Sequence, residues 1–157
     1  MSRKTTNRRA FLAASLLGVA GVTSASAADT GGKAKITGIT PEGAPAADGY
    51  SHGIVAEGGG KIIFVSGRGP RDRKADMETQ IRQTLENVAK VLESAGASMK
   101  DVVILRGYFT NLPRDLAAYR KVRKEFFSKP YPASTSLGVS SLATADLQVE
   151  IEAVAIV

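Results

Sequence analysis

Residues 76–95 carry one unbroken apolar stripe that limits the folds open to this chain. Met77, Ile81, Leu85, Val88, Leu92 and Ala95 recur at spacings of four, four, three, four and three, the period of a helix with one buried face. Glu78, Arg82, Glu86, Lys90 and Glu93 fill the rest of its surface. Asp76 is placed to cap its start and Gly96 to end it. The stripe lies between two runs rich in branched and aromatic residues, Lys61–Ser66 and Asp101–Thr110, which read as strands. A long connection of this kind allows neighbouring strands to run parallel.

Beyond this unit, Asp115 is expected to cap a second helix carrying Leu116, Tyr119, Val122 and Phe126, ended before Pro130 and Pro132. Ala133–Val139 and Leu147–Ile156 read as strands. In the latter, Leu147, Val149 and Ile151 alternate with Gln148, Glu150 and Glu152. Upstream, Ser51–Ala56 is a weaker strand, and Gly58-Gly59-Gly60 predicts a turn that pairs it with Lys61–Ser66 as a hairpin. Arg106 shares a face with Val102, Ile104 and Tyr108. The order ββαβαββ predicts an α+β domain, a mixed sheet with both helices on one face. No further helix is at hand for the other face, so a homo-oligomer packed sheet-inward is expected.

The first 27 residues are set apart from this domain. Arg3, Lys4, Arg8 and Arg9 head an apolar run from Ala10 to Val22, and Ala25-Ser26-Ala27 fits a cleavage site. Asn7-Arg8-Arg9-Ala10-Phe11-Leu12 resembles the twin-arginine export motif. A removable leader and a periplasmic or secreted mature protein are expected, with no membrane anchor, since the chain has no cysteine for a lipid. Residues 28–43 read as a flexible arm, with an edge strand at Ile36–Ile39. The leader holds 4 of 21 basic residues and no acid, which leaves 17 bases against 15 acids and a net charge of +2. So small an excess argues against nucleic-acid binding.

Familiar chemistries find little footing. One histidine, His52, and no cysteine make a transition-metal site poor in ligands. Gly58-Gly59-Gly60 precedes a strand and Ser66-Gly67-Arg68-Gly69-Pro70 opens no immediate helix, so neither is a phosphate loop. No G-x-S-x-G elbow supports a hydrolase triad around His52. Two strand faces remain. Ser134, Ser136 and Gly138 share one face, and Glu150 and Glu152 share another, about 7 Å apart. A carboxylate there can orient water, or these are ordinary solvent-facing residues, and Arg106 is likewise a surface charge or a paired interface charge.

In order along the chain, Ala44-Pro45-Ala46-Ala47, Gly49-Tyr50, Val65-Ser66-Gly67, Gln83–Val88, Asp101-Val102-Val103, Phe126-Phe127, Tyr131-Pro132-Ala133 and Val149–Ala155 resemble the Rid/YjgF family. The match runs over residues 44–157. The resemblance implies a chorismate-mutase-like fold and a homotrimer with three clefts between subunits. It implies hydrolysis of 2-imino acids or their enamines to 2-oxo acids and ammonia, without metal or cofactor. Carried over by position, Glu150 positions the attacking water, Tyr50 walls the cleft, Ser66 lies on its floor, and the backbone near Ser136 meets the substrate. The family's older name also speaks of an endoribonuclease.

One departure stands out. Deaminases of the family have Pro-Ala-Arg, whose arginine grips the substrate carboxylate, and here the residues are Pro132-Ala133-Ser134. Serine cannot supply a planar cation with five donors. The resemblance therefore implies a cleft that binds a small imine or carboxylate metabolite, with the usual hydrolysis impaired or altered. The alternative is an active hydrolase that uses another arginine. Arg68, and Arg120 where an asparagine is common, are the candidate displaced cations, or else solvated surface charges.

Overall fold

The computed structural model describes residues 32–157. The leader read at residues 1–27 and the first residues of the arm lie outside the described residues. The described elements are β1 (Lys35–Ile39), β2 (Gly53–Glu57), β3 (Ile62–Arg68), α1 (Met77–Ser94), β4 (Val102–Phe109), α2 (Leu112–Phe126), β5 (Ala133–Gly138) and β6 (Val149–Ile156), with a single 3-10 turn at Met99–Asp101 before β4.

The main sheet has the order β3-β6-β4-β5, with β4 and β5 parallel and the other neighbours antiparallel. It is the mixed α+β sheet expected from the alternation of strands and helices. Helix α1 packs on β3 and β6, and α2 packs against β4, β5 and α1. Both helices thus cover one face. Ion pairs from Arg82 to Glu125 at 2.8 Å and from Lys121 to Glu78 at 2.7 Å tie them together along the outside. Ile81, Leu85, Val88 and Leu92 of α1 are fully buried against Leu105 and Phe109 of β4 and Val149, Ile151 and Ala155 of β6.

Local chemistry explains the helix starts. Asp76 accepts from the Thr79 amide at 3.0 Å, so α1 is capped as expected. Helix α2 begins earlier than expected. Asn111 is its cap, accepting from the Arg114 amide at 3.3 Å, and Pro113 sits in the first turn, where no N–H is needed. Asp115 is therefore inside the helix, buried and paired with Arg114 at 2.6 Å.

The expected β2–β3 hairpin does not form. Strand β2 pairs with β1 in a separate two-stranded sheet, and β3 pairs with β6. Gly58 and Gly59 both take positive φ, 72° and 81°, and carry the chain out of β2. The amides of Gly60 and Lys61 then both donate to the Val157 carbonyl at 2.9 Å, which docks β3 on the last strand. Val102 also departs from expectation. A register shift between Val102 and Ile104 turns it into the core, away from the face of Arg106.

Neither helix covers the second sheet face. Phe64 is 76% exposed there and Ile62 58%. Among the described residues no helix is long and apolar enough to cross a membrane.

Candidate functional site

The polar residues singled out from the sequence fall into two groups on opposite faces of the sheet. Register decides this. Strand β5 lies parallel to β4 with Ser134 beside Leu105 and Ser136 beside Gly107, so both serines face the helices. Strand β6 lies antiparallel to β4 with Glu150 beside Tyr108 and Glu152 beside Arg106, so both carboxylates face the open side. Ser66 is exposed on that open side, in phase with Ile62 and Phe64.

On the helix side, a cavity of about 250 Å³ lies between α2 and β5. Tyr50, Tyr119, Arg120, Arg123, Ser134 and Ser136 line it, with Leu112 and Leu116. Tyr50 reaches it because the next residue is sewn to β5. The Ser51 amide donates to the Pro132 carbonyl at 3.2 Å, its hydroxyl donates to the Tyr131 carbonyl at 2.5 Å, and Ser51 bridges Ala133. His52 serves the same corner. Its Nε2 donates to the Pro45 carbonyl at 2.8 Å, and its ring meets Tyr50 edge-on at 5.6 Å.

The cavity contains a cation that sequence reasoning missed. Arg123 is 5% exposed. Its Nη1 donates to Ser134 Oγ at 2.9 Å, its Nη2 points to the Asp48 carbonyl at 3.5 Å, and its guanidinium carbon lies 5.0 Å from the Tyr119 ring centre. Its Nε and the Tyr119 hydroxyl have no hydrogen-bond partner among the described residues. Ser134 on β5 thus meets a guanidinium from α2. A signal was present, since Arg123 follows Tyr119 by four residues and sits on the stripe of Leu116, Tyr119 and Phe126. A charge on an apolar stripe marks a buried ion. Of the two arginines weighed from sequence, Arg120 is exposed and lines the cavity, whereas Arg68 ends β3, is exposed and does not line it.

On the open side, Glu150 lies directly against Gly67, whose missing side chain leaves it room. Arg106 is paired rather than free, donating to Glu152 at 2.7 Å, and the Tyr108 hydroxyl donates to the same oxygen at 3.2 Å. Partial burial, with the Glu152 charge adding to it, raises the Tyr108 phenol above its ordinary value. Among the described residues no three His, Asp or Glu side chains cluster as a metal would require.

Residues 41–157 match the Endoribonuclease L-PSP family. The chain is a member of that family, the Rid proteins. Among curated relatives, it is 37% identical to a RutC family protein of Pyrococcus horikoshii over 74% of this chain and 94% of that protein. It is 34% identical to the 2-iminobutanoate/2-iminopropanoate deaminase of Salmonella typhimurium over 75% and 95% respectively. Among solved structures, the Rid family protein YyfB of Yersinia pestis matches with a TM-score of 0.69 at 31% identity, over 78% of this chain and 98% of that one. TdcF of Escherichia coli, solved with bound serine, matches with a TM-score of 0.56 at 33% identity, over 76% and 98%. Rid membership agrees with the ordered motifs from Ala44 to Ala155, and the two-helix mixed sheet is that of these relatives.

Proposed function

We propose that this Rid protein is an imine/enamine hydrolase whose clefts are each shared between two copies of the chain in a homotrimer, working outside the cytoplasm. One observation carries the reading. Glu150 and the Tyr50–Ser136 cavity lie on opposite faces of one sheet, so a single chain cannot bring both to one small molecule. The open face of one copy laid against the β5 edge of the next joins them. The exposed Phe64 and Ile62 give that face a reason to be covered.

In such a cleft Glu150 accepts a proton from water as the water oxygen bonds to the imine carbon, and delivers that proton to the imine nitrogen as the C=N double bond opens. The carbinolamine formed then loses ammonia, its hydroxyl proton passing to the leaving nitrogen as the carbonyl of the 2-oxo acid forms. An enamine is first protonated at carbon to give the same imine. Tyr50 walls the site and Ser66 lines its floor. No cofactor is needed, because water alone balances the reaction. The relative named 2-iminobutanoate/2-iminopropanoate deaminase supports this substrate class. RNA is disfavoured by the small net charge and by the pair of carboxylates on the open face.

A second reading, a metabolite binder with impaired turnover, is favoured by Ser134 in place of the strand arginine. Ammonia release from 2-iminobutanoate generated in situ separates the two. Hydrolysis well above the water rate, lost in Glu150→Gln, is expected. A trimer that binds 2-oxobutanoate without releasing ammonia favours the binder.

A further inference from the structure

We infer that Arg123, carried on α2, is the carboxylate-gripping group of this site and replaces the strand arginine absent at Ser134. The inference rests on the cleft reading above and names its anchoring residue. Arg123 is 95% buried by side-chain and backbone contacts, yet no carboxylate of the described residues forms an ion pair with it. The nearby carboxylate of Asp48 pairs instead with Lys124 at 2.8 Å. A buried cation without a counter-charge is costly, and the cost falls when an anion enters.

Its donors are only partly used. A guanidinium offers five N–H groups in a fork. Ser134 and the Asp48 carbonyl take one each, and Nε has no partner. A strut between α2, β5 and the Asp48 loop would need no cavity beside it. Here the guanidinium borders about 250 Å³ of space, together with Ser134, Ser136 and the Tyr119 ring. The chain is also shaped around it. Gly49 has φ of 75°, and a side chain there would meet Arg123 Nη2 at 3.3 Å. The short Ser134 side chain completes the arrangement, because it fixes one Nη while leaving the room that a strand arginine would fill. The site therefore selects a planar, two-oxygen anion.

The test uses 2-oxobutanoate as the binding probe and 2-iminobutanoate for turnover, with the full trimer. Arg123→Gln is expected to weaken 2-oxobutanoate binding roughly 10- to 100-fold, and to leave binding of the uncharged 2-oxobutanamide unchanged. Ser134→Arg alone is expected to bring no gain, since a second guanidinium would crowd the first. Ser134→Arg with Arg123→Gln is expected to recover binding. Equal loss for acid and amide in Arg123→Gln makes Arg123 a strut and overturns the inference, as does a wild type that does not bind 2-oxobutanoate. Should Arg123→Gln fail to fold, Arg123→Lys keeps the charge and loses the fork. It must still weaken the acid selectively, or the inference falls. Binding that depends on Arg123 without ammonia release removes the hydrolase reading and keeps the anchor. Ammonia release untouched by Arg123→Gln does the reverse.

Discussion

Gly67 and Glu150 occupy each other's space: a β-carbon on Gly67 would overlap the Glu150 carboxylate. The two residues lie on adjacent strands, β3 and β6, where a register shift between Val65 and Arg68 bends β3. Glycine is required here by close approach. The carboxylate is thereby held down against backbone and aimed along the open face. Gly67→Ala should push it aside while leaving the strands paired. Since a misplacement of about 1 Å can cost on the order of 100-fold in rate, ammonia release should fall about that far in kcat. Circular dichroism should stay that of wild type. Full activity in Gly67→Ala would mean that Glu150 does not need this seat.

What could be read from the sequence follows from how local each signal is. Helix α1 was legible down to its cap, because Asp76 and the stripe that follows are neighbours in the chain. The start of α2 was misjudged by a few residues, since Asn111 and Pro113 together outweigh Asp115. The β2–β3 hairpin failed because strand partners are chosen at long range, here by β1 and by the Val157 carbonyl. The same limit applies to the site. Period two put Ser134 with Ser136 and Glu150 with Glu152, but only the β4 registers reveal that the pairs face opposite ways. Arg123 stands on the apolar stripe of Leu116, Tyr119 and Phe126, which marks it as buried, but only the fold shows that its guanidinium meets Ser134.

The α1 cap gives a pH dependence. Hydrogen bonds from the Thr79 hydroxyl, then the Thr79 amide, hold the Asp76 carboxyl below its ordinary value of 3.8. A group with a lowered folded pKa adds stability above its unfolded value, and that stability is lost as pH falls through the folded one. Asp76→Asn keeps a cap acceptor but does not titrate. Above pH 4 the wild type should be the more stable, and the gap should close on further acidification. Urea unfolding across that range measures it. A gap that widens toward low pH would contradict the sign.

Export is tested at the leader. Arg8→Lys with Arg9→Lys keeps the charge and the apolar run from Ala10 to Val22 but removes the arginine pair. If the twin-arginine route carries the protein, the double variant should stay in the cytoplasm, folded and uncleaved. Fractionation followed by mass measurement reads both location and length. Normal delivery of the variant would assign the general secretory route instead.

The shared cleft makes the strongest demand. If Glu150 comes from one copy and the α2–β5 cavity from the next, two different lesions can be rescued by mixing. Glu150→Gln spoils the open face and leaves the cavity whole. Ser136→Phe fills the cavity and leaves Glu150 in place. Each variant alone should release little ammonia. In mixed trimers, some interfaces join the intact cavity of the first to the intact face of the second, and activity should return in proportion to such interfaces. The wild type should scatter light as a trimer. Phe64→Glu, which puts a charge on the 76% exposed phenylalanine of the open face, should dissociate it and abolish activity together. Mixed trimers that form yet stay inactive would mean that the two faces never meet in one cleft. Glu150 and the cavity would then serve separate ends.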